Sequence, residues 1–252
     1  SHKLAVLKRL RCWLEGKEEQ SEDRREECLR SLVQRIEGQF PRTDYPGVYQ
    51  SMLSIYNAQV KSLLQQRSDS GQNGASILDI SLEKGGTSVL ADGYLSGGNL
   101  SPSQEDFCFG FGTFLQLVDD LQDCLPDKES GHRTLFSQRA GQTQLDELVY
   151  KLFNYTQEVA GCKLDVYKRK ESLLNDVITR SCAFLYMEAA GRYKGLFSRK
   201  CVRRFGRSFP VRFSYLQNLR DTQAGFIPAQ KKIRELDSAS LSILTLTSRL
   251  LT

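Results

Sequence analysis

Residues 107–123 read FCFGFGTFLQLVDDLQD, and both the fold and the chemistry turn on them. Phe107, Phe109, Phe111, Phe114, Leu115, Leu117 and Val118 leave the early turns almost wholly apolar, a pattern that predicts a buried helix. The helix then finishes in three carboxylates, Asp119, Asp120 and Asp123. Residues four apart on an α-helix lie about 40° from each other around the axis and about 6 Å along it. Asp119 and Asp123 therefore share a face, and Asp120 falls to its side. No Lys or Arg lies inside the segment, so the two carboxylates repel one another unless something cationic sits between them. A hard divalent cation would do this, and Mg2+ takes one or two carboxylates while water and phosphate oxygens complete its shell. The alternative reading is a solvated helix terminus, which acidic residues at helix ends usually form. Against it, carboxylates at the mouth of a buried helix are costly unless paired or metal-bound.

Upstream, Gly97-Gly98 and Ser101-Pro102 mark a turn and a helix start, with Glu105 and Asp106 in the first turn. Downstream, Pro126 is expected to stop the helix just after Asp123. The preceding helix spans Ile77 to Leu95 and carries Lys84 and Thr87. Its Gly85-Gly86 pair costs about 1 kcal/mol per glycine relative to Ala. A close approach of a ligand or of a neighbouring helix would offset that, with ordinary packing as the plainer explanation.

Helical periodicity continues in both directions. Leu4, Leu7, Leu10 and Leu14 recur at helical spacing, as do Cys28, Leu29, Leu32, Val33 and Ile36. The mixed-charge run between them, EGKEEQSEDRREE, is most simply a solvated face or turn. Pro41 and Pro46 bracket a break with Asp44 as a cap, and Tyr49, Met52, Leu53, Tyr56, Val60, Leu63 and Leu64 mark the next helix. Its Asn57, Gln59, Gln65 and Gln66 read as a solvated face before a cavity lining. Residues 67–75, RSDSGQNGA, have the composition of a flexible loop. After Pro126 no proline occurs until Pro210, and Leu145, Leu148, Val149, Leu152, Leu173, Leu174, Val177 and Ile178 keep the helical period. Strand-like alternation is almost absent. The expected fold is all-α, a single-domain bundle of roughly eight to ten helices.

Composition narrows the chemistry. The 252 residues hold 40% apolar and 26% charged side chains with a formal net charge of +5, as in an ordinary soluble protein. No apolar run approaches the ~18 residues of a membrane span, and the N-terminus lacks the apolar run of a signal peptide. It begins without Met, as a processed, tagged or incomplete chain does. Seven scattered cysteines with no CxxC pair read as reduced thiols in a cytoplasmic protein. His2 and His132 are the only histidines, which argues against zinc sites and His-based catalysis.

Residues 112–123, GTFLQLVDDLQD, resemble the second aspartate-rich motif of the class I isoprenoid synthases, GxxxQxxDDxxD, a group that includes trans-prenyltransferases and terpene synthases. Asp127 and Gly131 fall where the prenyltransferases have a further Asp and a Gly-Lys pair, with His132 in place of the Lys. Lys84 and Thr87, in LEKGGTSVL, resemble the Lys-Thr helix that precedes the motif, about 35 residues earlier. The likeness covers residues 77 to 136, about a quarter of the chain. It implies a helical bundle around an apolar cavity for a prenyl tail, with Mg2+ at its mouth gripping the diphosphate. It further implies Asp119 and Asp123 as metal ligands with Asp120 in support, and Lys84, Thr87, Gln116 and Arg133 as substrate contacts. Phe109, Phe111, Phe114 and Tyr56 are candidate cavity walls, although each is more often core. The expected activity is that of a terpene synthase-like lyase ionising a prenyl diphosphate. The alternatives are a chain-elongating transferase, or a non-catalytic homologue that binds prenyl diphosphate. His132 and the two glycines between Lys84 and Thr87 depart from the elongating pattern. The family's other aspartate-rich motif does not occur between Ser1 and Gly98, and its spacing places it near or before residue 1.

Between Leu196 and Arg220 lie Arg199, Lys200, Arg203, Arg204, Arg207, Arg212 and Arg220, with no acidic residue. Phe197, Phe205, Phe209, Phe213 and Tyr215 are spaced for helix packing rather than for stacking bases. This basic stretch is therefore expected to be solvated or partner-facing, with a peripheral membrane contact left open and no nucleic-acid partner. A homodimer is likewise left open.

Overall fold

A computed structural model describes residues 2–63, 76–161, 171–208 and 212–215. Among them run ten α-helices and one 3₁₀ turn, with a lone bridge between Ala140 and Thr143 and no strand. The protein is all-α. The 67–75 loop, Cys162, Gln65, Gln66, Phe209 and Arg220 lie outside the described residues. The chain divides into two compact units, residues 1–117 with 161–171, and residues 118–160 with 172–252.

In the first unit, α1 (His2–Leu14) packs on α2 (Arg24–Gln39) and on α3 (Pro46–Ser62), and α3 packs on α4 (Ile77–Gly97). Val6, Leu10, Trp13, Leu29, Val33, Ile36, Val48, Met52, Ile55 and Ile80 form its core. Leu4, expected on the apolar stripe of α1, is instead 63% exposed. Asp44 does not cap α3. Tyr45 takes that position without a side-chain bond, and Pro46 follows it, where a missing N–H needs no cap. Gln59 is buried rather than solvated.

The charged run of residues 15–27 is solvated as expected except at Glu26. Asp23 caps the helix, its carboxylate accepting from the Arg25 and Glu26 amides at 2.8 and 2.9 Å. Glu26 is fully buried. Arg9 Nε donates to it at 2.8 Å, a second Arg9 nitrogen donates to its other oxygen, and the Glu22 amide donates at 2.7 Å. The hydrogen-bonded Arg9 guanidinium holds the Glu26 carboxyl below its ordinary range, outweighing the opposite push of burial. The folded carboxylate therefore stays ionised where the unfolded one has begun to take up a proton. Its contribution is present above the unfolded value and is lost as the pH falls through the folded one. Glu26→Gln is expected to lower stability at neutral pH and to reduce the loss seen on acidification below about pH 4.3. Urea midpoints across pH test this, and parallel profiles for both proteins would contradict it.

Helix α5 (Pro102–Gln122) begins in the first unit and ends in the second. Phe114, Leu117, Val118 and Leu121 are buried, as are Gly112, Thr113 and Asp120, while Phe109 and Leu115 are exposed. Seven apolar residues exceed what one helix face can cover, so the expected burial fails at Phe109 and Leu115 and holds or partly holds at the other five.

The second unit continues with α6 (Cys124–Ser130), α7 (Leu135–Arg139), α8 (Asp146–Gly161), α9 (Glu171–Arg192), the 3₁₀ turn Lys194–Leu196 and α10 (Arg199–Ser208). Pro126 does not leave the chain non-helical. Helix α5 ends, but Pro126 sits in the first turn of α6, where its missing N–H is tolerated. The core is built on Leu121, Phe136, Leu145, Val149, Leu152, Tyr186, Ala189 and Phe205. Asp146 accepts from the Ser198 amide at 2.9 Å, and Ser198 Oγ accepts from the Cys201 amide at 3.1 Å, tying the starts of α8 and α10 together.

Candidate functional site

Upstream of its acidic end, α5 makes a close crossing with α4 within the first unit. A Cβ on Gly85 would lie 2.4 Å from the Gly112 carbonyl oxygen, and one on Gly112 would lie 2.2 Å from that of Gly85. Thr113 Oγ1 donates to the Leu82 carbonyl at 3.2 Å across the same contact. The glycines of KGGT thus serve the approach of a neighbouring helix, one of the explanations their sequence position left open. Lys84 is half-buried beside them, Gln116 packs against Gly85, and the buried Thr87 hydroxyl donates to Glu83 O of its own helix at 2.7 Å.

At the other end of α5, Asp119 and Asp123 are exposed and Asp120 is 4% exposed. The Asp123 amide donates to the Asp119 carbonyl at 2.9 Å, so the helical turn is maintained between them. The helix breaks at Asp123, whose side chain makes no capping bond to α6. Gly131 closes α6 at φ 76° while the His132 amide donates to the Asp127 carbonyl at 2.8 Å. Only glycine adopts that conformation at little cost, which gives this position a local structural role. Arg133 follows, half-buried, before α7.

Helix α9 brings a cation to the same end of α5. Arg192 Nη1 donates to the Gln122 carbonyl at 3.2 Å, and Tyr193 Oη donates to that oxygen at 2.8 Å. Glu188 accepts from Gln122 Nε2 at 3.4 Å and from Arg192 Nη2 at 3.3 Å. A guanidinium at a helix C-terminus complements its partial negative charge. Arg192 Nε is buried and has no hydrogen-bond partner among the described residues. Burial raises the Tyr193 phenol and pushes the neighbouring Cys124 thiol up to about 11, so both stay protonated at neutral pH. Sequence reading missed Glu188, Arg192 and Tyr193. They lie 66 to 71 residues from Gln122, and no local pattern marks them.

Lys84, Thr87 and Gln116 belong to the first unit, and Asp119, Asp120, Asp123 and Arg133 to the second. Among the described residues no group of three or more His, Cys, Asp or Glu side chains could hold a metal ion. The six described cysteines are free thiols. No helix among the described residues is long and apolar enough to cross a membrane. No family model matches the chain, and no curated protein or solved structure matches it either.

Proposed function

We propose that the acidic end of α5 binds Mg2+ together with a prenyl diphosphate, and that the protein ionises this substrate as a terpene synthase does. The reading is carried by one observation: Asp119 and Asp123 stand exposed one helical turn apart, at the helix end where Arg192 is anchored. The likeness of residues 112–123 to the family motif supports it. Asp119 and Asp123 would hold the ion, which when bound neutralises charge developing on the departing diphosphate. Asp120 is buried beside them. Arg192 holds the Gln122 carbonyl at that helix end and is itself paired with Glu188. Lys84, Thr87, Gln116 and Arg133 enter as substrate contacts under the same proposal, and the apolar cavity of an isoprenoid-synthase bundle belongs to it as well. Titration calorimetry with inorganic diphosphate tests the site without a choice of prenyl chain. Binding in the presence of Mg2+ should be about tenfold or more tighter than without it. Equal affinity in both conditions, or no binding in either, would overturn the proposal.

A further inference from the structure

The second unit holds a cavity of about 870 Å3 between α8, α9 and α10, within the roughly 300–1,000 Å3 that small-molecule sites occupy. No α5 residue lines it, so it is separate from the diphosphate site above and does not depend on that reading. Tyr150, Phe153, Tyr186 and Phe205 form its aromatic wall. Tyr186 stands edge-on to Phe153, ring centroids 6.1 Å apart, and tilted against Phe205 at 6.1 Å. Tyr186 and Phe205 are buried in its inner wall. At the mouth, Phe153 and Phe184 are 39% and 38% exposed, a large apolar surface to leave in water.

Among the described residues the charged lining is of one sign: Arg180 and Arg204 border the cavity and no Asp or Glu does. The Arg204 guanidinium lies 5.7 Å from the Tyr150 ring centroid, which holds a cation at the edge of the apolar wall. Helix α10 adds the exposed Arg203 and Arg207 and contains no acidic residue. An apolar cavity with an arginine rim complements a molecule with a hydrocarbon tail and an anionic head, because guanidinium binds carboxylate and phosphate oxygens in a bidentate manner.

We propose that this cavity binds a single-chain amphiphile with an anionic headgroup, the tail against Tyr150, Tyr186 and Phe205 and the head between Arg180 and Arg204. The test uses the full chain and dodecyl phosphate, kept below its micelle concentration, with dodecanol as the uncharged probe and dodecanoate as the carboxylate source of the same chemistry. Calorimetry should show dodecyl phosphate binding with about tenfold or greater preference over dodecanol. Arg180→Ala/Arg204→Ala should erase that preference, and Ala183→Trp, which fills the cavity from its lining, should abolish binding. Helical circular dichroism and melting temperature identify any variant that fails to fold. For such a variant, competition between the two phosphate and carboxylate probes on the wild type reads the same site, and mutual displacement is expected. Equal binding of dodecanol and dodecyl phosphate would overturn the anionic assignment. Binding to phosphatidylglycerol vesicles without binding of the monomeric probes would overturn the cavity in favour of a membrane-facing surface.

Discussion

Gly112→Ala is expected to destabilise the protein by about 1–3 kcal/mol or more, although alanine is the better helix former by about 1 kcal/mol. The new methyl carbon would sit 2.2 Å from the Gly85 carbonyl oxygen and 2.9 Å from its carbon. Those are backbone atoms of α4, which cannot rotate aside as a side chain does, so the two helices must separate. Separation also stretches the 3.2 Å bond from Thr113 to Leu82. Gly38 on α2 provides the opposite case, since nothing lies within 4 Å of its Cβ position. There only the propensity gain remains, and Gly38→Ala should stabilise by up to about 1 kcal/mol. Urea denaturation of the two variants should therefore shift in opposite directions. Shifts of the same sign would contradict the close crossing of α4 and α5.

Asp119→Asn/Asp123→Asn is expected to reduce diphosphate release from a prenyl diphosphate on the order of 100-fold or more, with the melting temperature little changed. Both carboxylates are exposed, so replacing them leaves the packed core untouched. Asp120→Ala should behave differently. Asp120 is 4% exposed, so loss of its carboxylate from a packed position should lower the melting temperature as well as any activity. A double variant with wild-type release would remove Asp119 and Asp123 from the chemistry.

The helical class was legible because the apolar residues repeat at helical spacing on element after element, and because the signals at Gly97-Gly98 and Ser101-Pro102 mark where α4 ends and α5 begins. What periodicity cannot tell is which of several apolar residues face the core. The extra apolar residues of α5 left Phe109 and Leu115 exposed, and Leu4 on α1 likewise. Glu26 was hidden for a different reason: its partner Arg9 lies 17 residues away, and a buried carboxylate looks like any other in a charged run until its partner is placed. Pro126 marked the end of α5 correctly, but not the start of α6, because a proline that ends one helix pattern is also well suited to the first turn of the next. In the candidate site, the pairing of Asp119 with Asp123 follows from spacing alone. The arrival of Glu188, Arg192 and Tyr193 at Gln122 depends on the tertiary fold of the second unit.

The most direct measurement is diphosphate release by the full chain from prenyl diphosphates of graded length, with Mg2+ and with a chelator, beside the Asp119→Asn/Asp123→Asn variant. Release that requires Mg2+ and disappears in the variant is the expected result and would make the end of α5 a catalytic metal site. Release that persists in chelator, or no turnover of any chain length alongside intact Mg2+-dependent diphosphate binding, would contradict catalysis there and leave a protein that binds diphosphate without transforming it.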